Sequence, residues 1–158
     1  MIIVVDGLYL DKAGNWFHDG DAVRHRRLEA LLHRSVARDE SGALVVTTGR
    51  DVLPFVCEDT PRFVYALRGT TVLLRGGESR IEAHQDFTID DAGVVRSRLG
   101  SFWCRWLRSA YHVLIGNAET DLDRGALVVV VGHTRLRICP TTRKTWRDES
   151  PSTGASPR

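Results

Sequence analysis

Lysine is almost missing from this sequence. Lys12 and Lys144 are the only two, so arginine supplies twenty of the twenty-two basic side chains. Against twenty acidic residues this leaves a net charge of +2, which excludes the strong one-signed field that would by itself announce nucleic acid or an anionic membrane. Long apolar runs are missing too. The longest are a few residues, far short of the roughly 20 that a membrane helix needs, and the opening MIIVV is broken by Asp6 with no basic residue before it, so no leader or membrane span is expected. Cysteine is scarce: Cys57, Cys104 and Cys139 are odd in number, far apart and without a CxxC. That excludes a disulfide framework and predicts buried free thiols in a reducing compartment, with the protein cytoplasmic. No G-x-S-x-G elbow surrounds Ser35, Ser79 or Ser101, and RGGESR at 75–80 lacks the spacing and strand-to-helix context of a phosphate loop, so it reads as a turn.

What is present is a core. The 158 residues are 42% hydrophobic, and a chain of this size buries roughly 70% of the surface its unfolded form exposes. The chain also repeats itself: GALVVTTG at 42–49 recurs as GALVVVVG at 125–132, an offset of 83 residues. The same offset pairs Leu28 with Tyr111, Leu31 with Leu114, Leu32 with Ile115, Leu53 with Leu136 and Phe55 with Ile138. A compositional accident would not align flanking apolar positions of two different periodicities, so a duplication is expected.

Leu28, Leu31, Leu32 and Val36, three or four apart among Arg26, Arg27, His33, Arg34 and Arg38, predict an amphipathic helix over 24–38 with its arginines in water. ALVVTT and DVLPFVC, separated by Gly49 and Arg50, predict a hairpin with a type II′ turn. LVVVV and TRLRIC predict its counterpart around Gly132 and His133. FVYAL, TVLLR, DFTID and GVVRSRL read as further strands, with a turn from Asp90 to Gly93. FWCRW at 102–106 fits either the start of a second helix capped by Ser101 or, by alternation, a strand. The expected fold is therefore α+β, a duplicated strand-helix-hairpin motif with two helices and mainly antiparallel strands. It forms one compact domain over 1–140, with motifs at about 14–57 and 97–140, followed by a polar, disordered tail over 141–158.

Gly14, Trp16, His18 and Gly20 in a GxWxHxG arrangement, Glu58, Asp59 and Pro61 in an ED-x-P turn, and Ala110 and Tyr111 in the second helix together resemble the domain-of-unknown-function family numbered 1285. The resemblance covers residues 8 to 139 and implies a bacterial α+β protein built from a repeated strand, helix and hairpin motif. It implies no biochemical role. Ser109 stands where a helix-starting proline is common in that family, and Leu107 where a capping hydroxyl is expected.

His18 and Asp19 with Glu58, Asp59 and Arg62 form the best candidate ligand site, yet each residue also has a structural reading: Asp19 to Asp21 as turn formers, Glu58 and Asp59 as the polar exit of a strand ended by Pro61. No catalytic residue, metal ligand or cofactor is expected. The leading functional expectation is a non-enzymatic ligand-binding or regulatory module, with a protein partner or self-association and no membrane. The alternative is a metal-assisted hydrolase in which His18 and Asp19 converge with Glu58 and Asp59. A second alternative, nucleic-acid binding through Arg27, Arg34 and Arg38 of the first helix, is disfavoured by Glu29, Asp39 and Glu40 among them. Trp103, Trp106 and Tyr111 are expected in the core, or in the seam between two copies of the chain.

Overall fold

The structure, a computed structural model, describes residues 7–82, 85–121 and 126–141; the expected tail, apart from Thr141, lies outside them. The described residues divide into two compact units, with the boundary between Pro61 and Arg62.

The first unit contains β1 (Leu8–Leu10), β2 (Trp16–His18), β3 (Asp21–Ala22), α1 (Arg26–Arg34), β4 (Val36–Arg38), β5 (Leu44–Thr48) and β6 (Asp51–Cys57). Its sheet runs β3-β2-β1-β6-β5-β4, with β1 parallel to β6 and the other neighbours antiparallel. The helix is shorter than its apolar period predicts. Ser35 ends it and Val36 to Arg38 pair with β5, because the Asp39 loop that follows returns the chain antiparallel. In that loop the Asp39 Oδ1 accepts the Ser41 and Ala43 amides at 2.8 and 3.0 Å. The buried face of α1 also differs from expectation. Leu28 is exposed, whereas Leu32 and His33 are buried, the imidazole edge-on to Trp16 with ring centroids 5.6 Å apart. Trp16 also meets Phe55 at 5.1 Å, and with Leu8, Leu10, Leu32, Val36 and Val46 they are the buried apolar residues on this side of the sheet.

The second unit contains β7 (Arg62–Arg68), β8 (Thr71–Leu74), β9 (Gly77–Arg80), β10 (Phe87–Ile89), β11 (Val95–Leu99), β12 (Phe102–Trp106), α2 (Arg108–Gly116), β13 (Ala118–Asp121), β14 (Ala126–Val131) and β15 (Thr134–Pro140). FWCRW is thus a strand, not a helix start. Ser101 lies in a hairpin turn, and Leu107 takes the cap position of α2 with no side-chain bond. Ser109, at the place of the family's proline, instead donates its hydroxyl to the Tyr65 carbonyl at 2.7 Å, tying α2 to β7. RGGESR is a turn only at its start, since Gly77 to Arg80 pair with β8. The sheet order is β13-β14-β15-β10-β11-β12-β7-β8-β9. Its core gathers Val64, Phe87, Val95, Trp106, Leu114, Val129, Leu136 and Ile138 beneath α2.

Six of these nine strands, β12-β11-β10-β15-β14-β13, follow the order β3-β2-β1-β6-β5-β4 of the first unit. The hairpin registers correspond at an offset of 83, Val45 facing Pro54 as Val128 faces Arg137, while the helix bounds differ by 82. The helix pairing is therefore Leu32 with Leu114, both buried, and not Leu32 with Ile115.

Candidate functional site

The hairpin of β1 and β2 and the turn after it carry two of the five expected site residues, His18 and Asp19, and the residues there have local tasks. Asp11 opens it: its Oδ1 accepts the Ala13 and Asn15 amides at 3.0 and 2.8 Å. The same D-x-x-G-x loop recurs at Asp39 to Ala43 and at Asp90 to Val94, where Asp90 Oδ1 accepts the Ala92 and Val94 amides at 2.9 Å each. Trp16 points into the core, fully buried. Asp19 and Gly20 turn β2 into β3, both left-handed at φ 49° and 88°, the pair of positive φ angles that a two-residue type I′ turn requires. Asp19 Oδ1 accepts the Gly7 amide at 2.7 Å, and its Oδ2 lies 3.5 Å from His18 Nε2. Both side chains are mostly exposed, at 66% and 61%, so water screens the contact.

Glu58 lies at the other end of β1. Its amide donates to the Leu10 carbonyl at 2.8 Å, and its Oε1 accepts the Lys12 amide at 2.9 Å. His18 faces Leu8 across β2, whereas Glu58 follows Cys57, which faces Leu10 across β6. Two strand spacings and three residue rises separate them, about 10 Å in each direction. By this pairing His18 and Asp19 stand apart from Glu58 on the sheet. Among the described residues no group of three or more His, Cys, Asp or Glu is placed to hold a metal ion. Asp59 is buried, with its carbonyl 3.6 Å from the Cys57 Sγ that donates to it. Arg62 belongs to the second unit, its guanidinium 5.9 Å from the Phe102 ring centroid. The GxWxHxG motif thus spans β2 and its flanking turns, and ED-x-P follows the end of β6.

The arginines of the disfavoured alternative are split. Arg27 and Arg34 are exposed on α1, but Arg38 lies on β4 and donates to the Gly42 carbonyl at 2.9 Å. Trp103 and Trp106 are buried and Tyr111 is half-buried. The Trp106 indole donates to Ser97 Oγ at 2.8 Å inside the core. Cys104 is fully buried, which pushes its thiol up to about 12 and leaves it inert, whereas Cys139 is exposed.

Two surfaces were not legible in the spacing of the motifs. On the first sheet, the face away from α1 carries Phe17, Tyr9 and Val56 in one cross-strand row, with Pro54 and Val52 further along β6. Val52 and Val56 are each 57% exposed. On the second sheet the corresponding face carries Arg96, Thr88 and Cys139 in one row, with Arg137 and Arg135 further along β15. Arg96 is buried and its Nη1 donates to Asp90 Oδ2 at 2.8 Å. Burial would raise the Asp90 carboxyl, but the bonds from Arg96, Val94 and Ala92 prevail and hold it below its ordinary value.

No family model matches the sequence, and no curated protein matches it. Solved structures do. A DUF1285 family protein from Silicibacter pomeroyi DSS-3 aligns over 90% of this chain and 83% of its own, with a TM-score of 0.64 at 13% identity. A DUF1285 family protein from Shewanella baltica OS155 aligns over 72% of this chain and 94% of its own, with a TM-score of 0.53 at 14% identity. The resemblance to that family expected from the motifs thus holds in the fold. At such identity it carries the architecture and no activity.

Proposed function

We propose that the protein is a non-enzymatic interaction module whose docking surface is the face of the first sheet that carries Tyr9, Phe17, Val52, Pro54 and Val56. The exposure of Val52 and Val56 beside two aromatic rings is the observation that carries this reading, since soluble proteins cover contiguous apolar patches. The partner that fits is a second copy of the chain. An uncharged face can meet its own image without opposing like charges, and two sheet faces pack about 10 Å apart. Sedimentation over a range of concentrations tests it: the wild type self-associates, and Val52→Asp with Val56→Asp gives a monomer of unchanged melting temperature. A wild type monomeric at every concentration would sink the proposal.

The equivalent strand orders and hairpin registers of the two units support, in the same proposal, descent from one duplicated segment. Superposing 26–57 on 108–140 in an experimental structure tests this. Helix and hairpin matching in order and hand is expected, and a mismatch in hand would leave the shared octamer as coincidence.

A further inference from the structure

The second sheet bears, at the ladder positions of the proposed docking face, a different chemistry. Arg135 and Arg137 stand on β15 where β6 has Val52 and Pro54, and Arg96 stands on β11 where β2 has Phe17. Alternation adds Arg98 beside Arg96, and Arg105, paired with Arg96, on β12. Arg98, Arg135 and Arg137 are exposed and Arg105 is half-buried. Among the described residues the same face also has Asp86, whose carbonyl accepts the Arg98 amide at 2.9 Å, Asp90, engaged by Arg96, and Glu78 on the far edge strand β9; β13 brings Glu119 into register with Val128, the partner of Arg137, and Arg98, Arg105 and Arg135 make contacts within the chain as well.

We infer that this face, at β11 and β15, is a sequence-independent surface for the phosphate backbone of single-stranded nucleic acid. Arginines two residues apart on one strand stand about 6.6 Å apart on one face, a repeat that an extended chain of phosphates can follow. Guanidinium matches phosphate as a planar fork. An acidic peptide fits less well. Extended peptides are captured at sheet edges, where their backbone is paired, and β11 and β15 are interior strands flanked on both sides. The surface is also distinct from α1, where the sequence placed its nucleic-acid alternative.

Fluorescence anisotropy of a labelled oligothymidylate with the full chain tests the inference. Binding at low salt is expected to weaken steeply as salt rises. Arg135→Ala with Arg137→Ala should lower the slope of log affinity against log salt by about 1.4, while the Lys pair at the same positions retains binding and Arg27→Ala with Arg34→Ala changes nothing. The inference is overturned by absence of binding at low salt, by an equal loss in the α1 pair, or by polyglutamate displacing the probe as well as unlabelled oligonucleotide does. Because it concerns the second unit alone, it stands or falls independently of self-association through the first.

Discussion

The two units agree on the helix side of their sheets and disagree on the other. Under the helices, Leu8, Leu10, Trp16, Val46 and Phe55 correspond to Phe87, Ile89, Val95, Val129 and Ile138, and all ten are apolar and buried or packed on the core. On the outer faces Phe17, Val52 and Pro54 correspond to Arg96, Arg135 and Arg137. A packed interior admits only apolar groups of fitting volume, whereas the outer face is fixed by whatever meets it. The difference between the faces is therefore the better guide to what each unit contacts, and the sameness of the cores speaks only to folding.

His18 is an exception on the helix side. Its register equivalent is Ser97, fully buried beneath Trp106 and bonded to the indole. The difference arises because β12 runs for five residues and carries Trp106 inward, while β3 stops after two. His18 is exposed because its unit lacks that cover.

The largest test of this comparison is in the cores. Trp16→Ala should cost about 3–5 kcal/mol in a denaturant titration, from lost burial and the cavity left behind, whereas exposed His18→Ala should change stability by less than about 0.5 kcal/mol. Phenylalanine sharpens it. Trp16 Nε1 is buried with no hydrogen-bond partner among the described residues, so Trp16→Phe removes nothing but area, while Trp106→Phe also strands the Ser97 hydroxyl and should cost about 1 kcal/mol more. Equal costs would mean that the indole bond contributes nothing.

Next come the recurring aspartate loops. Asp90→Ala takes the carboxylate from buried Arg96 and should cost on the order of 2–3 kcal/mol, and Asp39→Ala, in an exposed loop held by Ser41 and Ala43, less. Both carboxyls lie below the ordinary 3.8 in the folded protein, so the stability they confer is present above that pH and lost as the pH falls through it toward the folded value. Acid unfolding of Asp90→Asn should lack that component; an unshifted acid limb would remove the Arg96 contact from the account.

The hairpin glycines give a smaller contrast. Gly49 and Gly132 take the same left-handed φ, 60° and 61°, so alanine at either strains the backbone by about 1–2 kcal/mol. Only at Gly132 would the added Cβ also approach Thr70 Cγ2, to 2.7 Å; at Gly49 it meets nothing. Gly132→Ala should therefore lower the melting temperature more, and Thr70→Ser beside it should recover the excess.

The cysteines give the last and smallest effect. With the Cys104 thiol raised from 9.0 to about 12, its contribution to stability is whole below pH 9 and fades as the pH rises toward 12, because the unfolded chain ionises first. Alkylation of the native protein should label Cys139 and spare Cys104, and labelling of Cys104 at neutral pH would contradict its burial.

By itself the sequence determined most element types, because alternation and a period of three to four are local: the hairpins around Gly49 and Gly132 and the α+β class follow from neighbours in the chain. It also held signals that spacing alone undervalued, such as three D-x-x-G-x loops. What it could not determine was where α1 stops, since Val36 suits a helix face as well as a strand until β5 arrives to pair with it, or whether FWCRW is helix or strand before β7 and β11 flank it. Only tertiary structure decided that His18 and Glu58 stand at opposite ends of β1, because that distance depends on a parallel pairing between residues 47 apart. It alone placed arginines from β11, β12 and β15 on one face, since cross-strand neighbours are set by register rather than by proximity in the chain.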